Sequence, residues 1–350
     1  MAIFTILGAG MMGSALCVPL ADAGHEVRLV GTHLDDEIIA SLKGGGVHPT
    51  LGLALPPEVR PFFAGELGEA VCGAEAIGIG VSSAGVRWAA EQIGPHARPE
   101  RPIVMVSKGL HWSGGELRLL PDVLRDALPT AARCAGPVAV AGPCIAGELA
   151  RRVESCVVLA SREPRAAERV AALMCSSYYH VRTSPDLAGT QVCAALKNAY
   201  AMGVGLGAGI NEKSGGKPGS VAMHNFEAAL FAQSVIEMQR LVAVLGGDPQ
   251  SAAGLPGAGD LNVTCNGGRT ARFGRSLGLG LSLAEAVAKM QGATLECLEI
   301  LEVMRQALPE MERRGAIGPD ELPLLRHLGQ VALDGAPVRM PFARFFRSAT

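Results

Sequence analysis

The stretch Ile3–Phe4–Thr5–Ile6–Leu7–Gly8–Ala9–Gly10–Met11–Met12–Gly13 decides the fold. A short β-rich run enters a G-x-G-x-x-G motif, and a helical apolar stretch follows from Ser14 to Ala23. Gly24 ends that helix, and Glu26–Val30 reads as a second strand. In this setting the first glycine allows the turn, the second lets the backbone approach a pyrophosphate, and the third lets helix and strand pack closely. The helix N-terminus adds free N–H groups and a positive dipole end. The stretch therefore reads as a dinucleotide site formed by Gly8, Gly10, Met11, Met12 and Gly13. The competing reading is a glycine-rich turn in a cofactor-free doubly wound sheet.

The end of the second strand bears on the cofactor. An acid there takes the ribose 2′-OH of NAD, and an arginine suits the 2′-phosphate of NADP. The residues are Gly31–Thr32–His33–Leu34–Asp35–Asp36, with neither acid nor arginine directly after the strand. Thr32 and His33 are suited to a 2′-phosphate and Asp35 and Asp36 oppose one, so NAD and NADP both stand. Further strands are expected at Ala76–Val81, Ile103–Ser107, Val138–Ala141, Ser155–Leu159 and His180–Thr183, with a helix containing Arg165–Tyr178 between the last two. Ligands of open α/β sheets bind beyond the carboxyl ends of the strands. Ser82 and Lys108 follow two such ends, and Gly142–Pro143 leads to Ala146 and Glu148 after a third.

Pro185 is read as the domain boundary, with an α/β dinucleotide-binding domain over 1–185 and an all-α domain over 186–350. Beyond Leu187 the strand pattern gives way to long helices, with loops at Asn211–Gly219, Gly246–Pro249 and Asp334–Val338. The first of these is polar and glycine-rich and reads as a cover for the site.

Composition removes several classes. A formal net charge of −2 gives no general basic field for nucleic acid, and 4% aromatic residues argue against base-stacking platforms. No run of 18 apolar residues suggests a membrane span. The first residues read as a strand, not a signal peptide. The nine cysteines are scattered with no C-x-x-C, which fits a reduced intracellular setting better than a disulfide framework. The eight histidines form no ligand cluster, so no metal is expected, and only His224, after the polar loop, is singled out.

Two stretches carry the chemistry. Cys193–Ala194–Ala195–Leu196–Lys197–Asn198–Ala199–Tyr200 places one ammonium in an apolar run, and no other charge lies between Asp186 and Glu212. A buried lysine is either paired or used for proton transfer, whereas a snorkelling lysine is the plain alternative. In Gly257–Gly274, Asp260 and Thr264 share one helix face. Gly267–Gly268 precedes Arg269, and backbone N–H groups beside a guanidinium suit a phosphate or carboxylate. An Asp N-cap before an exposed loop is the plain alternative here.

Taken together, Gly8-x-Gly10-x-x-Gly13, Ser107–Lys108–Gly109, Gly142–Pro143-x-x-Ala146-x-Glu148, Leu196–Lys197–Asn198 and Gly259–Asp260–Leu261 through Gly268–Arg269 resemble the NAD(P)-dependent glycerol-3-phosphate dehydrogenase family. The resemblance runs to about residue 300. It implies a Rossmann domain followed by a helical domain, a cytoplasmic homodimer, and reversible hydride transfer between dihydroxyacetone phosphate and sn-glycerol 3-phosphate. Lys197 matches the family's catalytic lysine, with Lys108 and Asp260 supporting it. Asn198, Thr264, Gly268, Arg269 and Thr270 fall where substrate or its phosphate is held. Thr32, Ser82, Ala146, Arg269 and Glu296 join the glycine motif as cofactor residues. Lys197, desolvated and near Lys108, is expected to have a lowered pKa and to exchange the hydroxyl proton.

One departure bears on the substrate. The family usually has Arg-Asn where this chain has Arg269–Thr270, and a threonine hydroxyl is shorter with fewer donors. Two alternatives follow: a related dehydrogenase acting on another small anionic polyol or hydroxy acid, and a non-catalytic dinucleotide sensor.

Overall fold

The computed structural model describes residues 1–133, 136–217 and 223–346. The chain divides into two compact units, 1–108 with 119–191 and 109–118 with 192–350.

The first unit follows the expected alternation: β1 (Ile3–Leu7), α1 (Met11–Asp22), β2 (Glu26–Val30), α2 (Asp36–Lys43), β3 (Val59–Phe62), α3 (Leu67–Val71), β4 (Ala76–Ile79), α4 (Val86–Ile93) and β5 (Ile103–Met105). A hairpin of β6 (Leu110–Ser113) and β7 (Glu116–Leu119) intervenes before α5 (Leu120–Ala127), β8 (Val138–Ala141), α6 (Ala146–Leu149), β9 (Ser155–Ala160), α7 (Pro164–Met174) and β10 (Tyr179–Ser184). The eight-stranded sheet runs β10-β9-β8-β5-β4-β1-β2-β3. All neighbours are parallel except β8 and β9. The strand order reverses between β1 and β4, the switch point at which a doubly wound sheet opens a ligand crevice.

Period-two alternation places the two cores. Phe4 and Ile6 join Leu16, Leu20 and Leu29 on one face of the sheet. Leu7 joins Ile77, Ile79 and Ile93 on the other. Thr5 is buried among them, and its hydroxyl is satisfied by donating to the Ala70 carbonyl at 2.6 Å.

The second unit is built on α8 (Leu187–Lys213), with α9 (His224–Val244), α10 (Gln250–Ala253), α11 (Asp260–Cys265), α12 (Arg269–Gly278), α13 (Leu283–Ala288), α14 (Glu296–Arg313), α15 (Pro323–Leu333) and α16 (Phe342–Phe345). A π-helical turn at Leu255–Gly259 runs straight into α11.

The glycines after Lys197 have a packing role. A Cβ on Gly205 would lie 2.4 Å from the Ala271 carbonyl oxygen, and one on Gly209 would lie 2.1 Å from that of Arg275. In return, a Cβ on Gly274 would lie 2.0 Å from the Met202 carbonyl oxygen, and one on Gly278 would lie 2.3 Å from that of Leu206. Two i, i+4 glycine pairs thus bring the α8 and α12 backbones into direct contact. Arg275 donates to both Glu212 carboxylate oxygens at 2.6 Å and closes the far end of this contact.

Four differences from the sequence reading have physical reasons. The helix expected over Arg165–Tyr178 ends at Met174, because Cys175 turns to extended backbone ahead of β10. Strand β3 lies outside the expected set, and its Pro61 costs a ladder donor. It is tolerated because β3 is the edge strand beyond β2. The β6–β7 hairpin also lies outside the expected set. Its turn is Gly114–Gly115, both with positive φ, between short alternating runs. The Asn211–Gly219 stretch was read as all loop, but α8 continues through Lys213. The Glu212–Arg275 pair ties this last turn to α12, and Gly215, at φ +86°, follows the helix end. Pro218 and Gly219 lie outside the described residues.

Candidate active site

In the first unit, the glycine loop joins β1 to α1 at the switch point. Gly8 has φ +109°, and a Cβ there would meet the Gly80 carbonyl carbon at 2.8 Å. A Cβ on Gly13 would fall 2.1 Å from the Gly8 carbonyl oxygen, so the third position accepts no side chain. A Cβ on Gly10 would meet nothing within 4 Å. That opening lies at the N-terminus of α1, which no side chain caps. Turn, open approach and free N–H groups fit a dinucleotide pyrophosphate. Met11, at the head of the helix, is 41% exposed.

Two side chains hold this loop from outside the motif. Asp35 Oδ2 accepts from Thr32 N–H at 2.8 Å, Thr32 Oγ1 at 2.8 Å and Ala9 N–H at 3.1 Å. Thr32 is thus placed beside the glycine loop with its hydroxyl proton committed to Asp35. His48 is fully buried. Its Nδ1 accepts from Thr50 and Leu51 N–H at 3.2 Å, so Nε2 carries the proton and donates to the Ala9 carbonyl at 2.9 Å. The sequence reading passed over His48, because a lone histidine in an irregular loop offers no periodicity to betray burial.

The other first-unit candidates sit at strand exits. Ser82 precedes a short 3₁₀ turn after β4. Lys108 is half-buried after β5. The preceding Ser107 donates to the Val81 carbonyl at 2.6 Å and ties the two exits together. Ala146 is buried at the start of α6, and Glu148 is exposed in its first turn.

In the second unit, Lys197 and Asp260 meet. Lys197 is 8% exposed and Asp260 1%, and Lys197 Nζ donates to Asp260 Oδ1. This ion pair joins α8 to the first residue of α11, immediately after the π-helical turn. Thr264 donates to the Asp260 carbonyl at 2.6 Å and stands on the same helical face. Asn198, beside Lys197, is also buried, and its Nδ2 donates to Glu296 Oε2 at 3.0 Å. The other oxygen of Glu296 lies 3.8 Å from Arg269 Nη2. Glu296 therefore links Asn198 to Arg269. Gly268 caps α12 without a side-chain bond and Arg269 opens the helix, so an uncapped helix N-terminus and a guanidinium belong to one turn, a combination suited to a phosphate. Thr270 is buried in that turn.

His224 opens α9, with Nδ1 3.4 Å from Glu227 Oε2. It lines a cavity of about 530 Å³ with Asn262, Asn266, Gly267 and Arg272. Neither Lys197 nor Asp260 lines that cavity.

Family models of the NAD-dependent glycerol-3-phosphate dehydrogenase N-terminus and C-terminus match residues 3–167 and 186–342. The chain belongs to the NAD-dependent glycerol-3-phosphate dehydrogenase family. Among relatives of this family, the NADP(+)-dependent glycerol-3-phosphate dehydrogenase of Archaeoglobus fulgidus is 37% identical over 290 residues, covering 83% of this chain and 84% of that one. The glycerol-3-phosphate dehydrogenase [NAD(P)+] of Desulfitobacterium hafniense is 34% identical over 97% of this chain and 89% of its own. The crystal structure of glycerol-3-phosphate dehydrogenase from Coxiella burnetii matches with a TM-score of 0.79 at 26% identity, over 96% of each chain. Membership makes the chain an NAD(P)-dependent oxidoreductase with a Rossmann-type first unit and a helical second one. Among the described residues, no helix is long and apolar enough to cross a membrane.

Proposed function

We propose that this protein catalyses reversible hydride transfer between NAD(P)H and dihydroxyacetone phosphate, giving sn-glycerol 3-phosphate, with Lys197 exchanging the hydroxyl proton. The buried Lys197–Asp260 pair carries this reading. A sensor has no use for an ammonium held in an apolar helix, whereas ketone reduction needs a proton donor at the nascent alkoxide.

The bound nicotinamide supplies or accepts the hydride. The chain's own residues do the rest. Lys197 gives its proton in reduction and takes it back in oxidation. Asp260 orients the ammonium and balances its charge. Lys108 is the positive group assigned to carbonyl polarisation. Arg269 and the α12 N-terminus hold the phosphate, with Asn198, Thr264 and Thr270 completing the substrate set. Gly8, Gly10, Met11, Met12 and Gly13 hold the dinucleotide, with Thr32, Ser82, Ala146, Arg269 and Glu296 assigned to the same ligand. The domain limits at 1–185 and 186–350 and a cytoplasmic homodimer belong to this proposal, supported by the family resemblance. Light scattering on the purified protein tests the dimer.

Asp35 holds Thr32 and the glycine loop through three donors on its Oδ2. Its carboxylate charge remains, so NADH and NADPH both stand as cofactors. The deciding experiment follows NADH and NADPH oxidation in parallel on adding dihydroxyacetone phosphate. Rapid oxidation is the expected result. Intact cofactor binding without turnover would favour another anionic substrate.

A further inference from the structure

A second polar cavity lies in the first unit, away from the glycine loop. It has a volume of about 490 Å³ and is lined by residues that precede β4 and β5 and by Arg169 of α7. Its walls therefore stand at the amino ends of strands whose carboxyl ends face the dinucleotide loop. Four residues of β4 at about 3.3 Å each separate the two ends by roughly 13 Å.

Three arginines line it: Arg98, Arg101 and Arg169. Arg98 and Arg101 bracket a turn closed by the Arg101 N–H donating to the Arg98 carbonyl at 3.1 Å. Arg169 docks on this turn by donating to the Glu100 carbonyl at 2.8 Å. Arg101 is 8% exposed, and its side chain is held by one donation to the His96 carbonyl at 3.1 Å. Glu75 and Glu100 also line the cavity, but among the described residues no carboxylate lies within 4.0 Å of these three guanidiniums. A buried charge with only partial compensation is costly. Burial pulls Arg101 below the ordinary guanidinium range and the neighbouring Arg98 adds to the effect, while Glu100 and Cys72 offset part of it from a distance.

We propose that this cavity is a binding site for a phosphate-bearing anion, separate from the dinucleotide loop, with Arg101 at its floor and Arg98 and Arg169 at its rim. Guanidinium forks suit phosphate oxygens in pairs, and the volume accommodates a phosphorylated metabolite up to nucleotide size. The proposal does not depend on the identity of the reduced ketone.

The exposed Cys72 thiol lines the same cavity and supplies a local readout. Cys72 alkylation is followed by peptide mass spectrometry on the full-length protein, with inorganic pyrophosphate as probe and potassium chloride at matched ionic strength as control. At about ten times its Kd, pyrophosphate should slow Cys72 alkylation by roughly tenfold. An Arg269→Gln variant should show the same protection. Arg98→Gln and Arg169→Gln change exposed side chains, and should lose protection while keeping normal turnover. Equal protection by potassium chloride, no protection by pyrophosphate, or full protection in both rim variants would overturn the assignment.

Discussion

Lys197 stands where charge is expensive, and Asp260 is its compensation. Removing one partner of a buried pair leaves the other uncompensated, at a cost of about 3–5 kcal/mol. Lys197→Ala should therefore lower both turnover and stability. We expect kcat to fall about 10³-fold or more, while NADPH affinity, read by fluorescence titration, stays near wild type. Near-normal turnover in that variant would exclude Lys197 as the proton donor. Glu296 sits differently, because its carboxylate is 43% exposed and its contact with Arg269 is long. Such a pair contributes little to stability, about 0–1 kcal/mol. Its value lies in orienting Asn198 and in the cofactor set to which it is assigned, so Glu296→Ala should raise KM for both NAD(P)H and dihydroxyacetone phosphate several-fold with little change in melting temperature. A large loss of stability with unchanged KM would assign Glu296 a purely structural role.

Helices α8 and α12 meet through glycines, and the contact fixes which residues of the two helices can face one another. Gly274→Ala would put a methyl group 2.0 Å from the Met202 carbonyl oxygen. Backbone cannot yield as a flexible side chain does, so the helices must separate. Overpacking of this kind costs about 1–3 kcal/mol, measurable as a lower denaturant midpoint. An unchanged midpoint would mean that the two helices part freely. In the last turn of α14, Glu310 accepts from Arg313 Nε at 2.7 Å, Arg313 Nη2 at 2.6 Å and Arg314 Nε at 2.6 Å. These guanidiniums hold its carboxyl down at about 2, from an ordinary value of 4.5. A depressed acid stabilises the fold above its ordinary pKa and loses that contribution as pH falls through the folded value. The melting-temperature gap between wild type and Glu310→Gln should thus be constant above pH 4.5 and close as pH approaches 2. A gap independent of pH over that window would refute the pairing.

For the whole molecule, cofactor binding and folding are linked. A ligand that binds only the native state at 100 times its Kd adds about 2.7 kcal/mol of stability. NADPH should therefore raise the melting temperature of the protein in scanning fluorimetry. Gly13→Ala should abolish the rise, since its Cβ would fall 2.1 Å from the Gly8 carbonyl oxygen and distort the loop. An equal shift in the variant would place the cofactor elsewhere.

The local sequence determined the parts of this protein that rest on local rules. The run from Ile3 through Gly13 specifies strand, turn and helix because each glycine answers a backbone requirement that no side chain can meet. The isolated Lys197 in an apolar helix was legible as a buried charge, since burial can be read from its neighbours. Tertiary structure decided the partners. Asp260 lies 63 residues from Lys197 in the chain, and no spacing rule links them. Gly205 and Gly209 have no evident role along their own helix, and the close approach of α12 supplies it. His48 supports the glycine loop from an irregular segment, and Pro61 enters a strand only because that strand is an edge. The three arginines of the second cavity come from a turn and a distant helix, joined only when the sheet forms. Local geometry depends on the nearest few residues, whereas burial, counter-charge and close backbone approach depend on segments that only the folded chain brings together.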